Sequence, residues 1–261
     1  MKNLKIFSGL LLASIVIAAF KPGKNSNINS ANQGFAVIEL FTSEGCSSCP
    51  PADALISRVQ KESFGKPVYI LAFHVDYWNR LGWKDVFSDA VYSQRQQQYS
   101  RWLNSSEVYT PQAIVNGRTE FVGSEEVTLR NALKKGLQTE AKTEIVLSNV
   151  KAAAEKISLQ YHADGENINS SLVIALVEKN ATTKVARGEN AGRSLSHVQI
   201  VRKLQSINLG NNPNGSVTIL TPAGFNAESF ELIAFTQNNS NGTITGATRA
   251  QFPATISNGT K

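Results

Sequence analysis

The sequence is poor in the residues that build metal centres and disulfide frameworks. It contains two cysteines, three histidines and one methionine in 261 residues. Two cysteines make at most one disulfide within the chain, so the packing of apolar side chains must hold a chain of this length together. Runs of lysine and arginine are also lacking, although the net charge is +6. Without a basic run interleaved with aromatic residues, we expect no nucleic-acid partner.

The first twenty residues have the composition of an export signal. Lys2 and Lys5 precede an apolar run at residues 6–20, which has the length of a signal peptide and is short for a membrane span. No clear small-residue cleavage site follows, so an uncleaved N-terminal anchor is the alternative. Residues 21–34 are rich in Asn and Ser and predict a disordered linker. We therefore expect a periplasmic or secreted protein that has no membrane contact beyond that anchor.

Both cysteines fall in one Cys-x-x-Cys motif, Cys46 to Cys49, directly after an apolar run at residues 35–41. A strand that leads into such a motif at the start of a helix, here 46–60, is the sequence signal of a thioredoxin-like redox site. We expect Cys46, at the helix N-terminus, to be the exposed attacking thiolate, and Cys49 to resolve the mixed disulfide. The alternative is an inert structural disulfide.

Two further positions are candidates for the same chemistry. Thr110-Pro111 precedes an apolar run at residues 112–115, where thioredoxin-like folds place a cis-proline that faces the cysteines and binds an extended substrate. Glu39 lies in the strand that leads to Cys46 and is a candidate proton acceptor for Cys49. Thioredoxins carry that acid one residue later, at the position of Leu40, so an ion-paired strand glutamate is the alternative.

His74 and Trp78 follow the second predicted strand and are candidate substrate contacts. With the two cysteines, His74 could also complete a Cu(I) or Zn site. That metal site is the alternative, and we predict no metal and no other cofactor. The two remaining histidines, His162 and His197, fall in the second half of the chain and are given no role.

The pattern of apolar residues divides the chain near residue 142. Residues 35–142 predict a thioredoxin-like α/β domain, with strand 68–75, helices 89–103 and 125–138 capped by Ser88 and Ser124, and a hairpin at Asn116-Gly117. Residues 143–261 predict an all-β, β-sandwich-like domain. Its seven short strands are expected at 144–150, 156–162, 171–178, 198–204, 216–220, 230–236 and 243–249.

The stretch at residues 37–53 resembles a secreted bacterial thioredoxin-like family catalogued as a domain of unknown function. Further matching stretches are 74–78, 81–85, 95–96, 109–112, 115–118, 189–193, His197 and 201–202. The resemblance covers nearly the whole mature chain. It implies a thioredoxin-like fold and export, and it implies no established activity.

The residues thus predict an exported thiol–disulfide oxidoreductase that acts on envelope proteins. Its partners would be thiols and disulfides of exported proteins and an unidentified redox partner. The alternative is a non-catalytic binding module for a protein or for Cu or Zn, in which the Cys46–Cys49 disulfide is structural.

Overall fold

The computed structural model describes residues 33–105, 107–210 and 212–252. The predicted signal at residues 1–20 lies outside these ranges, as does all but the end of the predicted linker at 21–34. Gly34, at that end, forms an isolated antiparallel bridge with Glu140. Within the described ranges, no helix combines the length and the apolar character that a membrane crossing requires.

The N-terminal half has the predicted order of helices and strands. A short 3-10 helix at Asn79–Leu81 interrupts the segment after the second strand. The main elements are β1 (Ala36–Thr42), α1 (Pro50–Glu62), β2 (Val68–His74), α2 (Ala90–Trp102), β3 (Gln112–Val115), β4 (Thr119–Val122) and α3 (Glu126–Leu137).

Both α2 and α3 begin one residue later than predicted, and other residues occupy their N-cap positions. Asp89 caps α2 by accepting the N–H of Val91, whereas the Ser88 hydroxyl donates to the carbonyl of Asp85 at 2.8 Å. The cap of α3 is Glu125 instead of Ser124. The predicted hairpin turn is present, because β3 pairs with β4 and Asn116 and Gly117 both have positive φ, 51° and 66°.

The C-terminal half contains the seven strands that the alternating pattern predicts, several of them longer than expected. They are β5 (Thr143–Ala152), β6 (Lys156–Gly165), β7 (Ser170–Lys184), β8 (Ser194–Asn208), β9 (Asn214–Leu220), β10 (Phe230–Asn238) and β11 (Ile244–Ala250). β7 and β8 form a long hairpin, so the turn between them projects well beyond the shorter strands.

The two halves share one sheet. Its strand order is β11-β10-β7-β8-β2-β1-β3-β4, and β5-β6-β9 form a second sheet of three strands. β8 joins the N-terminal strands by a parallel pairing at Ala72 and Ile200. The C-terminal strands therefore do not form two sheets of their own, because four of the seven extend the N-terminal sheet across residue 142.

Three clusters of buried apolar side chains hold the layers together. α1 and α3 cover one face of β1 and β2 through residues such as Leu40, Leu55 and Leu129. α2 covers the opposite face through Tyr92 and Tyr99, in a cluster that also includes side chains of β7 and β10. The second sheet packs on β7 and β10 in a cluster of its own.

A buried ion pair ties α2 to β1. The Glu39 carboxylate has no exposed surface, and it accepts the Nε–H of Arg95 at 2.5 Å and the hydroxyl of Tyr99. Arg95 also donates to Gln237 of β10 at 3.1 Å. Its guanidinium lies 5.3 Å from the ring centre of Phe235, so one side chain links three elements.

We predict that Arg95→Met lowers the free energy of unfolding by about 3–5 kcal/mol, because it leaves the Glu39 carboxylate buried without its cation. The matched control is Arg130→Met. Arg130 pairs with Glu62 and Glu126, but its side chain is 42% exposed, and solvent-screened pairs of this kind contribute little to stability. Urea unfolding of both variants measures the difference, and equal losses would contradict the role of Arg95.

Candidate functional site

The two cysteines form a disulfide in the turn between β1 and α1. Cys49 is the N-cap of α1, and Pro50 and Pro51 occupy the first turn of that helix. Cys46 therefore lies ahead of the helix, in a turn closed by a hydrogen bond from its N–H to the carbonyl of Ser43 at 3.2 Å. The predicted helix start at residue 46 is corrected to Pro50, because proline has the φ angle and the missing N–H that suit a first turn.

Neither cysteine is exposed in the disulfide form. Cys46 and Cys49 both have 0% relative exposure, so the expectation that Cys46 is the exposed one is wrong for the oxidised protein. The two residues between them, Ser47 and Ser48, form the solvent-facing part of the motif. A reaction at Cys46 must therefore begin with a small opening around its sulfur.

The segment that begins β3 lies beside the sulfur of Cys46. The Thr110–Pro111 peptide bond is cis, and the carbonyl of Thr110 is 3.8 Å from Cys46 Sγ. Ser48 Oγ is 3.4 Å from both that sulfur and that carbonyl. Trp78, which is half-buried, donates its Nε1–H to the Thr110 hydroxyl at 2.8 Å. The structure thus brings Thr110, Pro111 and Trp78 together beside Cys46.

The turn between β7 and β8 also contacts the disulfide motif. Asn190 is fully buried, and its Nδ2 donates to the carbonyls of Glu44 and Cys46, each at 2.9 Å. The Glu189 carboxylate accepts the N–H of Ser47 at 3.0 Å. The C-terminal half of the chain therefore forms one wall of the site.

A buried cluster of charged side chains lies beside the disulfide motif. His197 of β8 stands between two carboxylates, with its Nδ1 3.4 Å from Asp53 and its Nε2 3.6 Å from Glu44. The hydroxyl of Thr42 donates to the other Asp53 oxygen at 3.1 Å, and the indole of Trp83 donates to Glu44 at 2.7 Å. The cluster joins β1, α1, β8 and the segment after β2.

This surrounding makes His197 a cation at neutral pH. Burial by itself lowers the pKa of His197, but the carboxylates of Asp53 and Glu44, 3.4 and 3.6 Å from its ring nitrogens, outweigh burial and raise that pKa to about 9. An imidazolium between two carboxylates attracts both and offsets one of their two negative charges, which lowers the cost of burying the three groups together.

His74 is paired with Asp85 and does not reach the surface. The two side chains are fully buried, and His74 Nδ1 is 2.7 Å from the Asp85 carboxylate. Burial acts to raise the pKa of Asp85, but His74 and the N–H groups of Glu44 and Phe87 outweigh it and lower the pKa. In this position His74 has no surface with which to contact a substrate, so the predicted contact is corrected.

Glu39 lies on the face of the sheet opposite α1. Successive side chains of a strand point to opposite faces, and it is Leu40 that packs with Ala52 and Leu55 of α1. Glu39 contacts Arg95 and Tyr99 of α2 instead. The structure therefore does not bring the predicted proton acceptor to Cys49, because β1 has no bulge that would turn Glu39 toward α1.

Several residues of this site were not singled out from the sequence. No local pattern points to His197, Glu44, Asp53, Glu189 or Asn190. Their one signal is that all five fall within the stretches that carry the family resemblance. Among the described residues, no group of three or more His, Cys, Asp or Glu side chains is arranged to hold a metal ion.

The fold and the site define a mixed α/β protein that carries a Cys-x-x-Cys disulfide beside a helix N-terminus. The chain belongs to the family described as "Protein of unknown function (DUF1223)", whose match spans residues 37–237. No curated protein matches the chain.

Two solved structures resemble the chain to different degrees. The chain is similar to the crystal structure of protein AGR_C_4864 from Agrobacterium tumefaciens, with 28% identity, a TM-score of 0.61, and coverage of 86% of this chain and 98% of that one. A domain of the outer membrane lipoprotein Omp28 from Porphyromonas gingivalis is 14% identical, with a TM-score of 0.27, over 43% of this chain and 88% of that one. The second likeness is too weak to carry an argument.

We predict that the His197 cluster stabilises the protein most below about pH 6.5 and loses this contribution as the pH rises toward 9. A histidine whose folded pKa exceeds its unfolded value binds its proton more tightly in the folded state, so deprotonation at high pH removes the gain. The shift from 6.5 to about 9 corresponds to about 3 kcal/mol. Urea unfolding at pH 6 and above pH 9 should show the loss in wild type and not in His197→Gln. The same loss in both proteins would contradict the assignment.

Proposed function

We propose that this protein is an exported thiol–disulfide oxidoreductase with a thioredoxin-like N-terminal half. The observation that carries the proposal is the position of the Cys46–Cys49 disulfide, with Cys46 Sγ 3.8 Å from the carbonyl of Thr110 at the start of β3. The disulfide lies within the strand–helix–strand unit β1-α1-β2, which β3, β4 and α3 follow. This order supports the thioredoxin-like part of the proposal. The basic and apolar N-terminus supports export to the periplasm or beyond the cell.

The proposed reaction passes through one mixed disulfide. In the reduced protein, the Cys46 thiolate attacks a substrate disulfide and displaces one substrate sulfur as a thiolate, which takes up a proton. The Cys49 thiolate then attacks Cys46 Sγ, forms the Cys46–Cys49 disulfide and releases the second substrate sulfur. Two electrons pass to the substrate, and a dithiol partner must restore the protein. The reverse sequence oxidises a substrate dithiol through the same intermediate.

An extended substrate segment would lie along the start of β3. Thr110 presents its carbonyl beside Cys46, and Pro111, which has no N–H, keeps that edge from pairing with the turn. Trp78 holds the Thr110 hydroxyl and leaves part of its ring exposed beside the site. These three residues are the proposed substrate edge, and the exported proteins that would occupy it carry thiols or disulfides.

Asp53, in place of Glu39, is the proposed group that takes the proton of Cys49. Its N–H donates to the Cys49 carbonyl at 3.1 Å, so Asp53 lies one helical turn after Cys49 and on the same face of α1. Its carboxylate is held by Thr42 and by His197. His197 acts as a positioning residue, because its contact is with the Asp53 carboxylate.

The chain also suits a second function, a binding module with a structural disulfide. The specific observation in its favour is the complete burial of both cysteines. In that case the exposed Ser47 and Ser48 and the half-buried Trp78 would hold a partner without any exchange of disulfides. The two functions differ in whether Cys46 ever forms a covalent bond with another protein.

We predict that a Cys49→Ala variant, expressed with its own N-terminal segment, accumulates covalent adducts with exported proteins that a reductant releases. Without the resolving thiol, the mixed disulfide at Cys46 cannot collapse. Cys46→Ala is the matched control and should yield no such adducts. Non-reducing gels of the captured protein measure the outcome. A folded Cys49→Ala protein that forms no adducts under oxidising or reducing conditions would rule out the oxidoreductase.

We also predict that Asp53→Asn slows the resolving step about tenfold or more, as expected for the loss of a general base. Mixing the reduced protein with an aromatic disulfide releases one coloured thiolate when Cys46 attacks and a second when Cys49 resolves. In Asp53→Asn only the second phase should slow, and the pH at which its rate rises should be higher. Glu39→Gln should slow the second phase less than Asp53→Asn does. A larger effect of Glu39→Gln would restore Glu39 as the proton acceptor.

A further inference from the structure

The first turn of α1 offers the Cys46 sulfur no free hydrogen-bond donor. Pro50 and Pro51 occupy the first two helical positions and have no N–H. The next two N–H groups both donate to the carbonyl of Cys49, at 2.9 and 3.1 Å. Free N–H groups at a helix end are what usually stabilise a thiolate placed there. The Cys46 thiolate of the reduced protein would therefore gain little from this helix.

Glu189 occupies the N–H donor that follows Cys46 in the chain. The N–H of Ser47, directly after Cys46, donates to the Glu189 carboxylate at 3.0 Å. The hydrogen bonds from the Ser47 side chain and backbone lower the pKa of Glu189, so this carboxylate is ionised at neutral pH. Glu189 thus engages the N–H that follows Cys46 and places a negative charge against the residue next to the one that forms the thiolate.

Asn190 anchors the turn that carries Glu189. Its Nδ2 bonds to the carbonyls of Glu44 and Cys46, and its Oδ1 accepts the guanidinium of Arg193 at 2.7 Å. The side chain is fully buried, so these contacts are shielded from water. The backbone of the turn at Glu189 is therefore fixed by the fold, and the contact with Ser47 directs its carboxylate.

Other groups around the turn act on the thiolate as well. Ser48 Oγ, 3.4 Å from Cys46 Sγ, is a donor that favours it. The remaining charged groups are the buried cluster and the two exposed arginines of the β7–β8 turn, namely Glu44, Asp53, His197, Arg187 and Arg193. All of these stay unchanged when Glu189 alone is replaced, so the effect of Glu189 can be measured as a difference.

Resting on the proposed function, we infer that Glu189, together with the prolines of α1, keeps the Cys46 thiolate poorly stabilised and so sets the site to reduce disulfides. A dithiol whose thiolate gains little from its surroundings has a weakly favoured reduced form, and it gives up its two electrons readily. The site would receive those electrons from a dithiol donor and pass them to a disulfide of an exported protein.

The test compares Glu189→Gln with wild type. Glutamine retains an oxygen that accepts the Ser47 N–H and loses only the charge. Alkylation rates of the reduced protein across pH give the pKa of the Cys46 thiol, and equilibration with glutathione gives the equilibrium constant for reduction. We expect that pKa to fall by about half a unit and, at a pH above it, the equilibrium to shift about threefold toward the dithiol. Pro51→Ala, which restores an N–H, should shift both quantities in the same direction.

The control is Glu155→Gln, an exposed carboxylate in the β5–β6 turn, which should change neither quantity. If folded Glu189→Gln shows unchanged values, or a higher pKa of the Cys46 thiol, the inference is overturned. If Pro51→Ala alone shifts the two quantities, the prolines have the effect and Glu189 does not. Both readouts are properties of the cysteine pair itself and need no substrate protein. A failure here therefore leaves the trapping of Cys49→Ala untouched, and a failure of trapping leaves these shifts standing.

Discussion

The pairing of β2 with β8 is the contact on which the site depends. Its register matches Ala72 with Ile200 and turns the strands of the C-terminal half into an extension of the N-terminal sheet. His197 is thereby brought against Asp53, and the turn after β7 against the disulfide motif. Without that pairing, the Cys-x-x-Cys motif would keep only its local turn and the Thr110 carbonyl.

Charge compensation governs the interior behind the disulfide. Three ionisable groups, Glu44, Asp53 and His197, are buried together, and a second buried pair, His74 with Asp85, lies beside them. The rings of the two histidines are 4.8 Å apart between centres. Burying a charge without a partner is costly, so each group requires the others. The disulfide motif and these buried charges lie in the same part of the core.

Local patterns predicted the local structure well. The apolar runs, the Asn116-Gly117 turn and the Cys-x-x-Cys motif fixed the strands, the hairpin and the disulfide, because each depends on neighbours in sequence. His197 and Asn190 lie 144 residues or more from their partners Asp53 and Cys46, and no local pattern reports such a contact. The sheet face on which Glu39 lies could be predicted, because strand alternation places it opposite Leu40. The burial of Cys46 could not be predicted, because the wall that contributes to it comes from the C-terminal half.

We propose that Cys46 and Cys49 cycle between dithiol and disulfide, with the electrons supplied by a dithiol partner. The most direct measurement is their redox state in the living cell, fixed by acid and read by alkylation with a reagent that adds mass to free thiols. A protein that reduces exported substrates should carry a sizeable dithiol fraction during growth, and that fraction should fall when an oxidant is added. A pair that stays fully oxidised under every growth condition would contradict the account and leave the disulfide as a structural link.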